Sequence, residues 1–348
     1  MRRSSPVGLI VLAVFAGTTA ADEPPYPHKS FKAERFGTGA RSYWLFEPAE
    51  PRPEKAPVVA FHHGWLAVNP GVYGAWIEHL ARRGNIVIFP RYQADWTTRP
   101  AEFLPNAAAA IRDALDVLEG APGRVRPDRG RFALIGHSAG GNLAALLAAS
   151  AEDEDLPRPR AVIALVPGEV RALRGPSLAA IPAETLLVVV AAEHDLIVGD
   201  HRARQIYAEA SAVPASRKEY VYYRTDRRGP VSLVADHLAP TAGLSRLDSG
   251  EGPMRVQQMD RAVVDVLDRW GFWRIADLTM AAAFRGEDLD ATSPRFADLG
   301  RWGDGRTVLG PIVGDDLERI PRVFPTNGPR LIPWRPEEFA RRVGLERP

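Results

Sequence analysis

Residues 131–143 read Arg-Phe-Ala-Leu-Ile-Gly-His-Ser-Ala-Gly-Gly-Asn-Leu. The run 131–135 is short and, after Arg131, apolar, as a buried strand is, and the Ala/Leu-rich stretch 139–150 that follows has helix-forming composition. Between them stands Gly136-His137-Ser138-Ala139-Gly140, a G-x-S-x-G pattern in a strand–turn–helix setting. The glycines have a physical reason. A serine placed on a sharp turn above a sheet leaves no room for side chains two residues to either side, so Gly136 and Gly140 fit there. The amide groups at the start of the following helix also point toward any negative charge that develops beside the serine.

Working outward, the same alternation continues. Apolar runs at 57–61, 85–90, 161–166 and 185–191 suit strands, 218–224 alternates like one, and 73–83, 106–119 and 200–212 have helical spacing. An extended pair spans 31–47 around Gly37-Thr38-Gly39, and 256–284 reads as one long helical stretch. Continuous apolar strands between amphipathic helices predict an α/β fold with a mostly parallel central sheet and helices on both faces. Residues 285–348, rich in proline and poor in periodicity, are expected to form an extended appendage on or near a main domain of residues 22–284.

Composition bounds the function. The chain has 348 residues, 45% hydrophobic and 25% charged, which is ordinary globular composition. Lys and Arg together number 44 against 43 for Asp and Glu, so no global field draws the chain to nucleic acid. With no cysteine there are no disulfides and no thiol nucleophile. No G-x-G-x-x-G or H-E-x-x-H spacing occurs, so neither an organic cofactor nor a metal is expected.

A serine hydroxyl needs a base, and the base needs an orienting acid. Eight histidines are available. Asp195 follows the strand at 185–191, with Glu193 and Asp200 as substitutes, and His237 follows the last strand candidate, with His201 as its substitute. The order Ser138, Asp195, His237 puts the three at carboxyl ends of strands, where open α/β sheets bind ligands. His62-His63-Gly64-Trp65 follows the strand at 57–61, and the backbone N–H groups of Trp65 and Ala139 are the expected oxyanion-hole donors. Trp65, Tyr73 and Trp96 are expected around the substrate pocket.

The motifs His-His-Gly-Trp65, Gly-His-Ser138-Ala-Gly, His-Asp195-Leu-Ile-Val and Asp-His237-Leu-Ala-Pro resemble those of the α/β-hydrolase fold superfamily over about residues 31–284. Within it the chain is similar to secreted serine esterases of the dienelactone-hydrolase-like, cutinase-like and platelet-activating-factor-acetylhydrolase-like kinds. The stretch around His237 is similar to the histidine loop of cutinase-like polyester hydrolases, which usually carry a C-terminal disulfide that this chain lacks. The resemblance implies a carboxylic-ester hydrolase acting on a small ester or acyl substrate. An acyltransferase, thioesterase or peptidase would use the same residues, and an exported binding protein on the same scaffold would need none of them.

The N-terminus has its own pattern. Met1-Arg2-Arg3 precedes an uncharged apolar run at 7–17 and the small residues Gly17 to Ala21. This is the layout of a secretory signal peptide over residues 1–21, which implies export to the periplasm or beyond and no lasting membrane span. Mass spectrometry of the protein from its native host is expected to find the mature N-terminus next to Ala20 or Ala21; a chain that still begins at Met1 or Arg2 would sink the export reading.

Overall fold

In the computed structural model, residues 25–254, 256 and 262–326 are described, so the signal-peptide segment lies outside them. Nine strands form one sheet: β1 (Ser30–Phe36), β2 (Tyr43–Ala49), β3 (Lys55–His62), β4 (Ile86–Pro90), β5 (Arg126–His137), β6 (Ala161–Leu165), β7 (Leu186–Ala192), β8 (Lys218–Tyr223) and, after a small hairpin of β9 (Asp226–Arg228) and β10 (Val231–Leu233), β11 (Ile312–Gly314). Their order is β1-β2-β4-β3-β5-β6-β7-β8-β11. The pairs from β4 through β8 are parallel, while β1, β2 and β11 join antiparallel. The centre of the sheet is buried on both faces, which is why β6 and β7 carry no polar alternation.

Helices α1 (Gly74–Arg82), α2 (Phe103–Gly120), α3 (Ala139–Ala149) and α4 (His201–Glu209) connect the strands, and α5 (Arg274–Arg285) and the single turn α6 (Pro294–Ala297) follow. Two apolar cores result, one on each face of the sheet. Tyr92, Phe103 and Phe132 belong to one, and Phe61, Trp76 and Phe272 to the other. Helix α3 is buried along most of its length, so alanine and leucine dominate it.

One expected element differs in part. Of the helical stretch expected at 256–284, residues 257–261 lie outside the described ones, residues 262–265 are irregular, and helix runs from residue 266, with a π-helical segment Leu267–Trp273 before α5. The start is set by two aspartates three residues apart. The Asp265 carboxylate accepts the Leu267 N–H at 2.7 Å, and the Asp268 carboxylate accepts the Asp265 N–H at 2.9 Å, a reciprocal capping arrangement. Polar side chains that bind backbone here compete with helical bonds over residues 262–265.

After α5 the described chain runs back across the sheet edge. Phe296, Leu299, Trp302 and Val308 are buried against the second core. The Trp302 Nε1–H donates to Asp226 at 2.7 Å, and β11 extends the sheet beyond β8. Farther on, the Arg204 guanidinium donates to the carbonyls of Leu317, Ile320 and Pro321. Replacing Trp302 with Ala is expected to lower the unfolding free energy by about 3–5 kcal/mol in urea titrations, the usual cost of emptying a large aromatic site. A loss below about 1 kcal/mol would mean this segment adds little to the fold.

Candidate active site

The elbow between β5 and α3 is built by steric exclusion. Ser138 adopts φ 56° and ψ −121°, a conformation rare for a residue with a side chain. A Cβ on Gly136 would overlap the Gly140 carbonyl, and one on Gly140 would overlap the carbonyls of His62 and His63. The strained backbone is held by its own bonds: the Ser138 N–H donates to Leu165 at 3.0 Å, and the Ser138 carbonyl accepts from Gly168 at 2.9 Å as well as from Gly141 and Asn142 of α3. Strain of this kind persists only where the surroundings over-determine it.

The structure brings Ser138, His237 and Asp195 together. The Ser138 hydroxyl and His237 Nε2 are 2.9 Å apart, and His237 Nδ1 and the Asp195 carboxylate are 2.7 Å apart. A carboxylate only accepts, so Nδ1 carries the ring proton and Nε2 faces the hydroxyl as the acceptor. Asp195 is fully buried, and its other oxygen accepts the N–H groups of Ile197 and Val198 at 3.1 and 2.9 Å. A backbone bridge between His194 and Asp236, with the His194 N–H on the Ala235 carbonyl at 2.8 Å, registers the acid loop against the histidine loop. The substitutes are engaged elsewhere or apart. Asp200 pairs with Arg204, Glu193 accepts the Thr225 N–H, and His201 sits exposed at the start of α4.

The loop after β3 lies against this constellation. A Cβ built on Gly64 would come within 3.4 Å of the Ser138 Cβ, so the Gly64 backbone passes directly over the nucleophile position. The N–H groups in this loop have defined acceptors: Gly64 donates to the Tyr73 hydroxyl at 2.8 Å, Leu66 to the Gln93 side chain at 2.8 Å, and Ala67 to the Gly64 carbonyl at 3.0 Å. Ala139 is the first residue of α3, where no preceding turn offers its N–H a carbonyl.

Of the expected pocket residues, Trp65 is almost wholly buried and packs against Phe103 at 5.5 Å between ring centres. Trp96 is partly exposed and rests on the same core. Tyr73 must be corrected. It is fully buried, with its hydroxyl tied beneath the oxyanion loop, so it supports the loop and lines no open pocket. A serine-and-strand reading could not assign Tyr73, Gln93 or His137, since their partners are brought near by the sheet and not by sequence spacing.

His62 and His63 are fully buried, and burial pushes the pKa of each down to about 4. Burial and the neighbouring His237 push His137 down to about 3. His62 and His137 are neutral at pH 7: the His62 Nδ1–H donates to the Ile135 carbonyl, and His137 donates from Nε2 to the His237 carbonyl and accepts from the Tyr73 hydroxyl at Nδ1. Both His63 nitrogens face carbonyls, those of Gly64 and Arg91, which offsets part of the cost that burial places on its charge. Among the described residues no three of His, Asp or Glu come together to hold a metal. These depressed values carry a stability consequence. An unfolded histidine takes up a proton near pH 6.5, while the folded ones resist it, so their contribution is complete above that pH and is lost as pH falls toward 4. Urea unfolding between pH 7 and 4.5 is expected to show stability dropping by up to about 2.7 kcal/mol per pH unit, the limit set by the two protons that His62 and His137 take up on unfolding. A flat profile over that range would show that the rings are not buried neutral.

A family model described as the alpha/beta hydrolase fold matches residues 58–210, from β3 through α4, which includes the elbow and Asp195. None of the curated proteins matches the sequence. With this match, the strand order and the elbow geometry, the chain is shown to have the α/β-hydrolase fold.

Proposed function

We propose that this protein is a serine hydrolase that cleaves carboxylic esters through an acyl-enzyme on Ser138. The observation that carries the reading is the continuous hydrogen-bonded line from the Ser138 hydroxyl through His237 to a fully buried, doubly bonded Asp195. His237 Nε2 takes the hydroxyl proton as Ser138 Oγ attacks the ester carbonyl. Asp195 keeps the imidazole in the required tautomer and stabilises the imidazolium that forms. In this reading the Ala139 and Trp65 N–H groups are assigned as the oxyanion donors, and each such donor is typically worth about 2.7–4 kcal/mol in the transition state. His237 then gives its proton to the departing alkoxide. Water attacks the acyl-enzyme with His237 again as base, which releases the acid and restores the Ser138 hydroxyl.

Leu196 and Ile197, directly after Asp195 in the chain, are 51% and 42% exposed. The Thr326 N–H donates to the Leu196 carbonyl at 3.2 Å, and Phe324 two residues before it is exposed as well. Exposed apolar side chains of this kind suit an ester with an apolar acyl or alcohol part. Export of the enzyme is part of the proposal and rests on the N-terminal pattern; among the described residues no helix is long and apolar enough to cross a membrane.

A fluorophosphonate probe is expected to label the native protein on Ser138, and Ser138→Ala is expected to abolish both labelling and hydrolysis of p-nitrophenyl esters. Asp195→Asn is expected to lower kcat by about four orders of magnitude, the size of that change in a serine-protease triad. Retained esterase activity in Ser138→Ala would refute the proposal. Product analysis with ester, thioester, amide and alcohol-acceptor mixtures separates ester hydrolysis from the other acyl-transfer reactions.

A further inference from the structure

A second hydrogen-bonded line runs beneath the proposed site and joins parts of the chain that the first does not. The Gly64 N–H lies 2.8 Å from the Tyr73 hydroxyl, which lies 2.8 Å from His137 Nδ1, and His137 Nε2 lies 2.7 Å from the His237 backbone carbonyl. Tyr73 and His137 are buried. The proton positions have one solution. The His237 carbonyl can only accept, so Nε2 of His137 carries the proton. The ring is neutral because burial disfavours its charge, so Nδ1 is bare and accepts from the Tyr73 hydroxyl. The hydroxyl oxygen in turn accepts the Gly64 N–H. Each bond thus has one donor and one acceptor, and no group in the line is left over.

The line ties three separate loops. Gly64 belongs to the loop after β3, His137 is the residue before Ser138, and His237 supplies the proposed base from the loop after β10. Tyr73, at the N-cap of α1, is the bridge between the first two. The hydroxyl also fixes the Gly64 peptide in place beside Ser138, because it accepts the Gly64 N–H. Oxyanion stabilisation depends on donors held in place before charge develops.

We propose that Tyr73 and His137 are positioning residues for the ester hydrolysis proposed above, which set the oxyanion loop and the His237 loop in register with the Ser138 elbow. The proposal rests on that hydrolase reading. Neither residue touches the reacting atoms; both act through Gly64 and His237.

The test compares the full-length wild type with Tyr73→Phe, and rates are normalised to Ser138 sites titrated with a fluorophosphonate, so that any unfolded fraction drops out. Tyr73→Phe is expected to lower kcat about 10- to 100-fold, the scale of a misplacement near 1 Å, with KM within about twofold of wild type. Affinity for an alkyl boronic acid, which forms a tetrahedral adduct on the serine, is expected to fall by the same factor as kcat/KM. A normalised kcat equal to wild type, or a loss confined to KM, overturns the positioning role.

If Tyr73→Phe does not fold, His137 carries the same test. A Gln side chain places its amide nitrogen about where His Nε2 lies, so His137→Gln is expected to recover part of the kcat lost in His137→Ala; equal losses in the two overturn the proposal. Nitrogen-15 NMR of histidine-labelled wild type reads the network without activity: His137 Nδ1 is expected to be unprotonated from pH 5 to 8, and a protonated Nδ1 overturns the donor assignment. Wild-type turnover tells the two failures apart. A wild type inert to esters and to the fluorophosphonate overturns the hydrolase reading and this role with it, whereas an active wild type with an unaffected Tyr73→Phe overturns this role alone.

Discussion

Ser138 sits at positive φ on a turn that admits no Cβ at Gly136 or Gly140, and the placement of the whole site follows from that turn. The backbone there is unfavourable by itself, on the order of 1–3 kcal/mol for such a conformation. It is held because β5 lies in the middle of the sheet, between β3 and β6, with neighbours on both edges. The Leu165 carbonyl of β6 takes the Ser138 N–H, and the carbonyls of His62 and His63 press against Gly140 from the β3 side. The close approach that strains the serine is the same approach that brings the β3 loop over it.

From that point the site is assembled by loops that leave the carboxyl ends of parallel strands. The β7 loop carries Asp195, whose carboxylate is organised by its own loop before it meets His237. The His237 loop is registered twice, through the His194–Asp236 bridge on one side and the His137 ring on the other. The C-terminal segment reaches the same region. Arg204 anchors it from α4 by donating to three backbone carbonyls, and Thr326 closes onto Leu196, next to the acid. A segment poor in periodicity is thus ordered by bonds to its backbone and by a few buried side chains such as Trp302 and Val323.

Much of this was legible in the chain. The strands near 57–61, 85–90, 161–166 and 185–191 could be read because a strand buried on both faces must be apolar without interruption, and they correspond to β3, β4, β6 and β7. The elbow could be read because glycine is demanded at fixed offsets from the serine. Residues 262–265, expected within a helix, are irregular for a physical reason: periodicity cannot register a cap made by Asp265 and Asp268, whose side chains bind backbone in place of solvent. Tyr73 was misplaced because an aromatic near a glycine loop looks the same in sequence whether it faces the substrate or holds the loop from below.

The sequence by itself determined the alternation of strand and helix, the elbow, and the order Ser138, Asp195, His237, because each depends on local sterics or on chain direction. Which atoms meet was decided only by the tertiary structure. Ser138 and His237 are 99 residues apart, His237 and Asp195 42, and Tyr73 and His137 64, and these pairs are closed by the register of parallel strands and the loops they release. The protonation of His137 belongs to the same class. It follows from burial and from a carbonyl contributed by a residue a hundred positions away, and neither is written in the residues beside it.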